Sequence, residues 1–476
     1  MKKLIRSTVR WKTKKGDKVL RIKNARIVKN EELKEVNIYV ERGKIKDIVP
    51  GDEILLPVEK EINVKGNIVF PGFIDPHVHF DDPGFTERED FETGTRSAAA
   101  GGITTIIDMP CTSIPPVTNG KNFDYKLNIV KPKAYVDFAF WGGVTPQQVE
   151  SGEYRKSLKE LKDKGIIGVK FYTISGMKLY PRMTVPDMDK TFRAVKELNL
   201  ICAIHAEDCY LVDYYSNLMQ EMRREDPESW YEGRTYEAEP EAIWSVVAIT
   251  EKVRNKLHIV HLSTKEGLNI IRWAKVQGLD VSTETCPQYL IFTIEDFKKV
   301  GSLLKIAPPL RKEEDREELW RGLKDGSIDF ISTDHAAGKY PEEKSESNIW
   351  KNYAGIPGTQ LAVPTILHYG YHQGRLTLGE IQKLMSENIA QRYGLHPQKG
   401  VIKVGGDADF TVVDLDKKWV VEPSKLESKG KYSPLIEKEL TGKIYMTIVR
   451  GEVVYKEDKG IVGTKGYGKL IKTKIK

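Results

Sequence analysis

Cysteine is scarce in this chain, and long apolar runs are missing altogether. The four cysteines, Cys111, Cys202, Cys209 and Cys286, stand at unrelated spacings in 476 residues. Such spacing excludes a disulfide framework and a cysteine-based zinc site. No run approaches the roughly 18 apolar residues of a membrane span, and no stretch has the apolar core of a secretion signal. A cytoplasmic protein without a membrane partner is the expectation. Repeats and low-complexity tracts are also lacking.

The net charge of +7 is a property of the two ends. Residues 1–18 hold eight Lys/Arg and one acid, and residues 465–476 hold five Lys and no acid, which leaves the stretch between them at −5. Short basic ends of this kind are more often solvated tails than nucleic-acid contacts. No nucleic-acid partner is expected. The remainder, with 40% hydrophobic and 30% charged residues overall, suits a globular chain with a large core.

Histidine is sparse but well placed. In Pro71-Gly72-Phe73-Ile74-Asp75-Pro76-His77-Val78-His79-Phe80, two histidines sit at i and i+2 at the end of an apolar segment. Residues two apart share a face of a β-strand, so His77 and His79 can point at one metal ion. Four further polar residues close short strand-like runs: Lys170 after Gly165–Val169, His205 after Leu200–Ile204, His261 after Leu257–Val260 and Asp334 after Ile328–Thr333. In a (β/α)8 barrel, functional groups converge where the strands end. Core packing alone does not explain this repeated placement; a metal site does. His258 should face away from His261 and serve the structure, while His335 can hydrogen-bond behind Asp334. Cys286 reads as a buried, inert thiol.

The pattern of periodicities predicts an α/β fold. Residues 19–30, 36–40 and 45–48 alternate as strands do, and so do 409–414, 445–449 and 452–455. Between them, strand-like runs alternate with helical stretches at Arg96–Ala100, Tyr154–Lys164, Met188–Leu198, Pro240–Val253 and Lys312–Leu323. The expected architecture is a (β/α)8 TIM-like barrel over 70–397, with a small β-sandwich domain built from both termini (19–69 plus 398–476). Residues 1–18 form a basic N-terminal extension, and 338–347 and 428–433 read as loops.

The ligand order HxH, Lys, His, His, Asp resembles the amidohydrolase superfamily, and within it the cyclic amidases: allantoinase, hydantoinase (dihydropyrimidinase) and dihydroorotase. The resemblance runs from about residue 19 to 470. It includes Phe91–Thr95, Ala98–Thr105, Glu284-Thr285-Cys286-Pro287-Gln288-Tyr289-Leu290, Pro308–Arg311 and Lys399–Asp409. It implies two divalent metal ions, zinc first, with manganese, cobalt or iron as alternatives. It further implies that Lys170 is carboxylated by CO2 and bridges both ions, that His77, His79 and Asp334 complete one site, and that His205 and His261 hold the other. A bridging hydroxide would be the nucleophile, with Asp334 as the catalytic proton carrier. A homo-oligomer, tetramer or dimer, is implied as well.

Substrate class rests on the departures. Dihydroorotases usually carry arginine and asparagine where this chain has Asp81 and Cys111, and hydantoinases usually carry tyrosine where it has Ser175, with Tyr172 nearby but out of register. Losing a bidentate arginine removes the strongest contact to a carboxylate. Allantoinase-like motifs are Asp82-Pro83-Gly84, Asp108-Met109-Pro110, Trp141-Gly142-Gly143, Ala354-Gly355-Ile356-Pro357-Gly358 and Tyr432-Ser433-Pro434. Asp81, Cys111, Ser175 and Gly355 are therefore the candidate substrate contacts. The reading is hydrolysis of a cyclic amide, allantoin to allantoate, followed by hydantoin or dihydropyrimidine and then dihydroorotate. A non-catalytic relative ranks last, since all six ligand positions are kept.

Overall fold

The computed structural model describes residues 19–55 and 57–473, so the basic extension at 1–18 lies outside the described residues. Strands from both ends of the chain share one nine-stranded sheet. Val19–Lys29, Glu32–Glu41, Lys44–Pro50, Lys60–Asn63 and Ile68–Pro71 come from the start. Phe410–Val420, Glu439–Val449, Glu452–Lys456 and Gly460–Ile461 come from the end. The seam is Ile68–Pro71, which runs parallel to Val19–Lys29 and antiparallel to Phe410–Val420. Ile22, Ile38, Val69, Phe410, Val412 and Ile448 meet in one buried cluster across that seam. Each half thus buries its apolar face against the other.

Eight parallel strands follow one another around the barrel. Phe73–His79, Ile103–Asp108, Asp137–Phe140 continued by Gly142–Gly143, and Val169–Tyr172 are the first four. Ile201–His205, Lys256–Ile259, Val281–Thr285 and Phe330–Ile331 continued by His335–Ala336 are the last four. Each pairs in parallel with the next. His335 and Ala336 then pair with Val78 and His79, so the eighth strand meets the first and the cycle closes. The fold is a (β/α)8 barrel with a β-sandwich domain. Two strands are broken, the third at Trp141 and the eighth at Ser332–Asp334. The Trp141 indole N–H donates to the Pro76 carbonyl at 2.9 Å, which locks that break to the strand carrying His77 and His79.

Helices start where their caps dictate. The expected helices at Arg96 and Met188 begin earlier, at Phe91 and Val185, because Asp90 and Thr184 close capping boxes there. Among the described residues no helix is long and apolar enough to cross a membrane.

A buried charge knot joins the two parts. Lys399 Nζ lies 2.5 Å from Asp137, 2.6 Å from Asp409 and 3.0 Å from Asp407. Arg450 adds a second cation on Asp137, and Lys44 pairs with Asp407. Asp137 opens the third barrel strand, whereas Asp407, Asp409 and Arg450 belong to the C-terminal part of the chain. Cutting one partner from such a cluster leaves buried charge uncompensated. Lys399→Met should therefore cost roughly 3–5 kcal/mol in denaturant unfolding; a loss below about 1 kcal/mol would show that the cluster contributes little.

Candidate metal and active site

The strand ends bring the six residues singled out by the sequence into one mouth. His77 and His79 project from the same face of the first strand, and their Nε2 atoms lie 3.1 and 3.3 Å from Asp334 Oδ1. The ligand atoms of these three residues all fall within 4.8 Å of one another. On the other side His205 Nδ1 faces His261 Nε2 at 2.9 Å. The His77 and His261 rings are 5.5 Å apart between centroids, so the two groups adjoin.

Two of these ends are set by unusual backbone. His261 and Asp334 have φ of 39° and 49°, in the left-handed region that side-chain-bearing residues rarely adopt. At Asp334 this turn ends the Phe330–Ile331 segment and aims the carboxylate at the histidines. The turn is held from below by Asp75. Its buried carboxylate accepts from Thr333 Oγ1 at 2.6 Å, Thr359 Oγ1 at 2.7 Å and the Thr333 N–H at 3.2 Å. Asp75 sits two residues before His77, so one carboxylate fixes the first and eighth strands together.

Acidic partners orient the imidazoles. Glu284 Oε1 lies 2.6 Å from His77 Nδ1, and its other oxygen lies 3.2 Å from His258 Nε2. Glu207 Oε2 lies 2.7 Å from His205 Nε2, and Arg234 Nε donates to Glu207 Oε1 at 3.0 Å. Burial would raise both glutamates, yet the cationic and imidazole neighbours hold each well below the usual carboxylate range. Both are thus acceptors only. His77 thus donates to Glu284 through Nδ1 and His205 to Glu207 through Nε2, so that His77 Nε2 and His205 Nδ1 are the nitrogens that face inward.

Lys170 lies fully buried in the same mouth, and among the described residues its Nζ has no hydrogen-bond partner. Burial lowers its pKa to about 8. The Tyr172 ring lies over it, its centroid 4.9 Å away. His261 Nδ1 is likewise without a partner among the described residues.

A cavity of about 160 Å3 opens onto this cluster, walled by Cys111, Thr112, Tyr172, Met177, Tyr353 and Ala354 beside the histidines and Asp334. Of the four expected substrate contacts, Cys111 lines it directly. Gly355 follows Ala354 behind the wall, packed so closely on the Ala336 carbonyl that a Cβ would lie 2.4 Å from it. Ser175 does not line the cavity, because its hydroxyl donates to the Tyr180 carbonyl at 2.7 Å. Asp81 is buried beside the wall rather than in it. Tyr172, out of register with the hydantoinase tyrosine, does reach in, with Oη 3.1 Å from Cys111 Sγ and its ring stacked on His205. His335 turns away from Asp334 toward Glu89 at 3.2 Å. His258 packs on Phe330 and contacts Ser282 at 2.9 Å. Cys286 is buried, and burial pushes its thiol well above the ordinary range.

Comparison with known proteins gives a consistent picture. The model of the family described as "Amidohydrolase family" matches residues 68–454. An allantoinase of Deinococcus radiodurans is 35% identical, over 92% of this chain and 95% of that protein. An L-hydantoinase of Paenarthrobacter aurescens is 31% identical, over 94% and 97% respectively. Among solved structures, the L-hydantoinase (dihydropyrimidinase) from Arthrobacter aurescens superposes with a TM-score of 0.90 at 31% identity, covering 95% of this chain and 99% of its own. With the family model spanning most of the sequence and such relatives matching nearly end to end, the chain belongs to the amidohydrolase family.

Proposed function

We propose that this protein hydrolyses the C–N bond of a cyclic amide, with allantoin as substrate and allantoate as product. The observation that carries this reading is the fully buried Lys170 amine, without a hydrogen-bond partner among the described residues, close behind the histidines and Asp334 that line a ring-sized cavity. The allantoinase relatives, at 35% identity in the case of Deinococcus radiodurans, favour allantoin among cyclic amides. The L-hydantoinase likeness and the Tyr172 hydroxyl in the cavity make hydantoin the second reading.

The donors suit two divalent ions. His77 Nε2 and His205 Nδ1, the ring nitrogens not engaged by Glu284 and Glu207, face inward, and His77 Nε2 lies 3.1 Å from an Asp334 oxygen. His77, His79 and Asp334 would hold one ion and His205 and His261 the other, with carboxylated Lys170 serving both. Zinc suits this set, with manganese, cobalt or iron as alternatives. When bound, such ions lower the pKa of water and polarise a carbonyl. Lys170 contributes by being a free amine: at an ordinary pKa near 10.4 well under a thousandth would be unprotonated at neutral pH, whereas at about 8 roughly a tenth is. Only the neutral amine can add CO2. Asp334, held well below the usual carboxylate range by His77 and His79 against the effect of burial, stays ionised and can accept the proton of the attacking water. It then delivers that proton to the departing ring nitrogen. Cys111 and Tyr172 line the cavity beside the histidines and would face the ring edge.

Glu284 tests the donor assignment. Glu284→Gln removes the charge that orients His77, so affinity for the ion should fall about 10–100-fold in a chelator competition. Unchanged affinity would reduce Glu284 to packing.

The deciding experiment is turnover of allantoin, hydantoin, dihydrouracil and dihydroorotate by protein reconstituted with divalent metal. A kcat/KM for allantoin at least about tenfold above the others, some 1.4 kcal/mol of discrimination, is expected. Preference for hydantoin or dihydrouracil would move the substrate to the second reading. No turnover with metal bound would overturn the proposal.

A further inference from the structure

Two lysines outside the catalytic cluster are buried with no carboxylate in contact among the described residues. Lys305 and Lys344 are each 2% exposed. Lys305 Nζ donates to the carbonyls of Asn352 and Trp350, the latter at 3.4 Å, and lies 4.0 Å over the Trp230 ring. Lys344 Nζ donates to the carbonyls of Ser302 at 2.9 Å, Tyr353 at 2.9 Å and Lys305 at 3.3 Å. Among the described residues neither ammonium meets a carboxylate; every polar partner is a backbone oxygen. Burial pushes Lys305 down to about 7 and Lys344 well below its ordinary value. Holding both amines inside is therefore costly, and an apolar side chain would fill the space at less cost.

Their targets explain the arrangement. The segment 350–355 returns from a loop without regular structure and supplies Tyr353 and Ala354 to the cavity wall. A loop in that position is ordinarily the most mobile part of a barrel mouth. Here its carbonyls are gripped from behind, and its Gly355 N–H donates to the Lys305 carbonyl at 3.0 Å. Asn352 is fixed in turn, with its side-chain amide donating to the carbonyls of Glu346 at 2.8 Å and Asn348 at 3.0 Å. Trp230, the platform beneath Lys305, donates to the Ile306 carbonyl at 2.9 Å, one residue before Ala307, which also lines the cavity. The lining at Tyr353–Ala354 and at Ala307 is therefore tied to the same pair of buried lysines.

We infer that Lys305 and Lys344 are positioning residues for substrate binding, which hold the Tyr353–Ala354 wall in place against the bound ring. This rests on the cyclic-amide reading of the cavity. Neither lysine touches the reacting atoms, so their loss should act on KM and leave kcat nearly alone.

The test uses the full-length metal-loaded protein with Lys305→Met and Lys344→Met, and glutamine variants where a methionine variant does not fold. Two readouts are taken: kcat and KM for the ring the wild type turns over best, and backbone hydrogen exchange of the whole chain. KM raised about tenfold with kcat within about threefold, together with faster exchange confined to residues 349–356, is the expected result. Unchanged KM and unchanged exchange in a folded variant would overturn the inference. So would unfolding of both the methionine and the glutamine variants, since the pair would then serve the fold as a whole. If the wild type turns over no cyclic amide, the functional reading fails on its own. Exchange at 349–356 then still decides whether the lysines hold the wall.

Discussion

Lys170→Ala should abolish ring hydrolysis, lowering kcat by at least about 10³-fold, some 4 kcal/mol of barrier, while the protein stays folded. The side chain occupies a fully buried place with no hydrogen-bond partner among the described residues, so removing it breaks no polar contact seen there. The cost to stability is the small one of a truncated aliphatic stem. The cost to function is large, because Lys170, once carboxylated, would supply an anion common to both histidine pairs. Bound metal, measured on the dialysed protein, should fall together with activity. Acetate, whose carboxylate can enter the void left by the side chain, should restore part of both. The wild type should carry the added mass of one CO2 under native conditions, and reconstitution of activity should depend on bicarbonate. Retention of full metal content and activity in the alanine variant would sink the bridging role.

The site was legible in the sequence to the extent that strand periodicity carried it. His77 and His79 are two apart on one strand, and that alone aims both at one point. Lys170, His205, His261 and Asp334 each close an apolar run, and barrel geometry gathers such ends. The same periodicity held a signal that went unread at Glu207 and one only half read at Tyr172, which lies near the hydantoinase tyrosine position but out of register. Tyr172 is two residues beyond Lys170, and Glu207 two beyond His205, so both share a face with their ligand candidate. Tyr172 reaches the cavity where Ser175, five beyond Lys170, is drawn off by the Tyr180 carbonyl. Arg234 carried no such signal, since it meets Glu207 only through the packing of a helix whose position no local pattern encodes. Lys305 and Lys344 were invisible for a related reason. A buried lysine held by carbonyls looks, in sequence, like a surface lysine. The early starts of the helices at Phe91 and Val185 were readable in principle from Asp90 and Thr184, whose caps lie outside the apolar periodicity used to find them.

Asp334→Asn should reduce kcat by about 10³-fold, within the 10²–10⁴ range of general acid–base catalysis, with a smaller effect on KM. Asparagine preserves the shape of the side chain and one oxygen toward His77 and His79, which stand 3.1 and 3.3 Å from the present carboxylate. It cannot take up a proton and pass it on. The left-handed backbone at this position, φ 49°, is tolerated by asparagine as readily as by aspartate, so the substitution tests chemistry and not conformation. The wild-type rate should fall as pH drops through the pKa of this carboxylate. Against the effect of burial, His77 and His79 hold that pKa well below its ordinary value. The ionised form is therefore fully present at neutral pH, and the acid limb should lie below the ordinary carboxylate range. The asparagine variant should lose that limb, leaving a low residual rate that is flat across the same window. A variant that keeps the limb would assign proton transfer to another group. A variant that keeps its rate would remove Asp334 from the chemistry and leave it a ligand only.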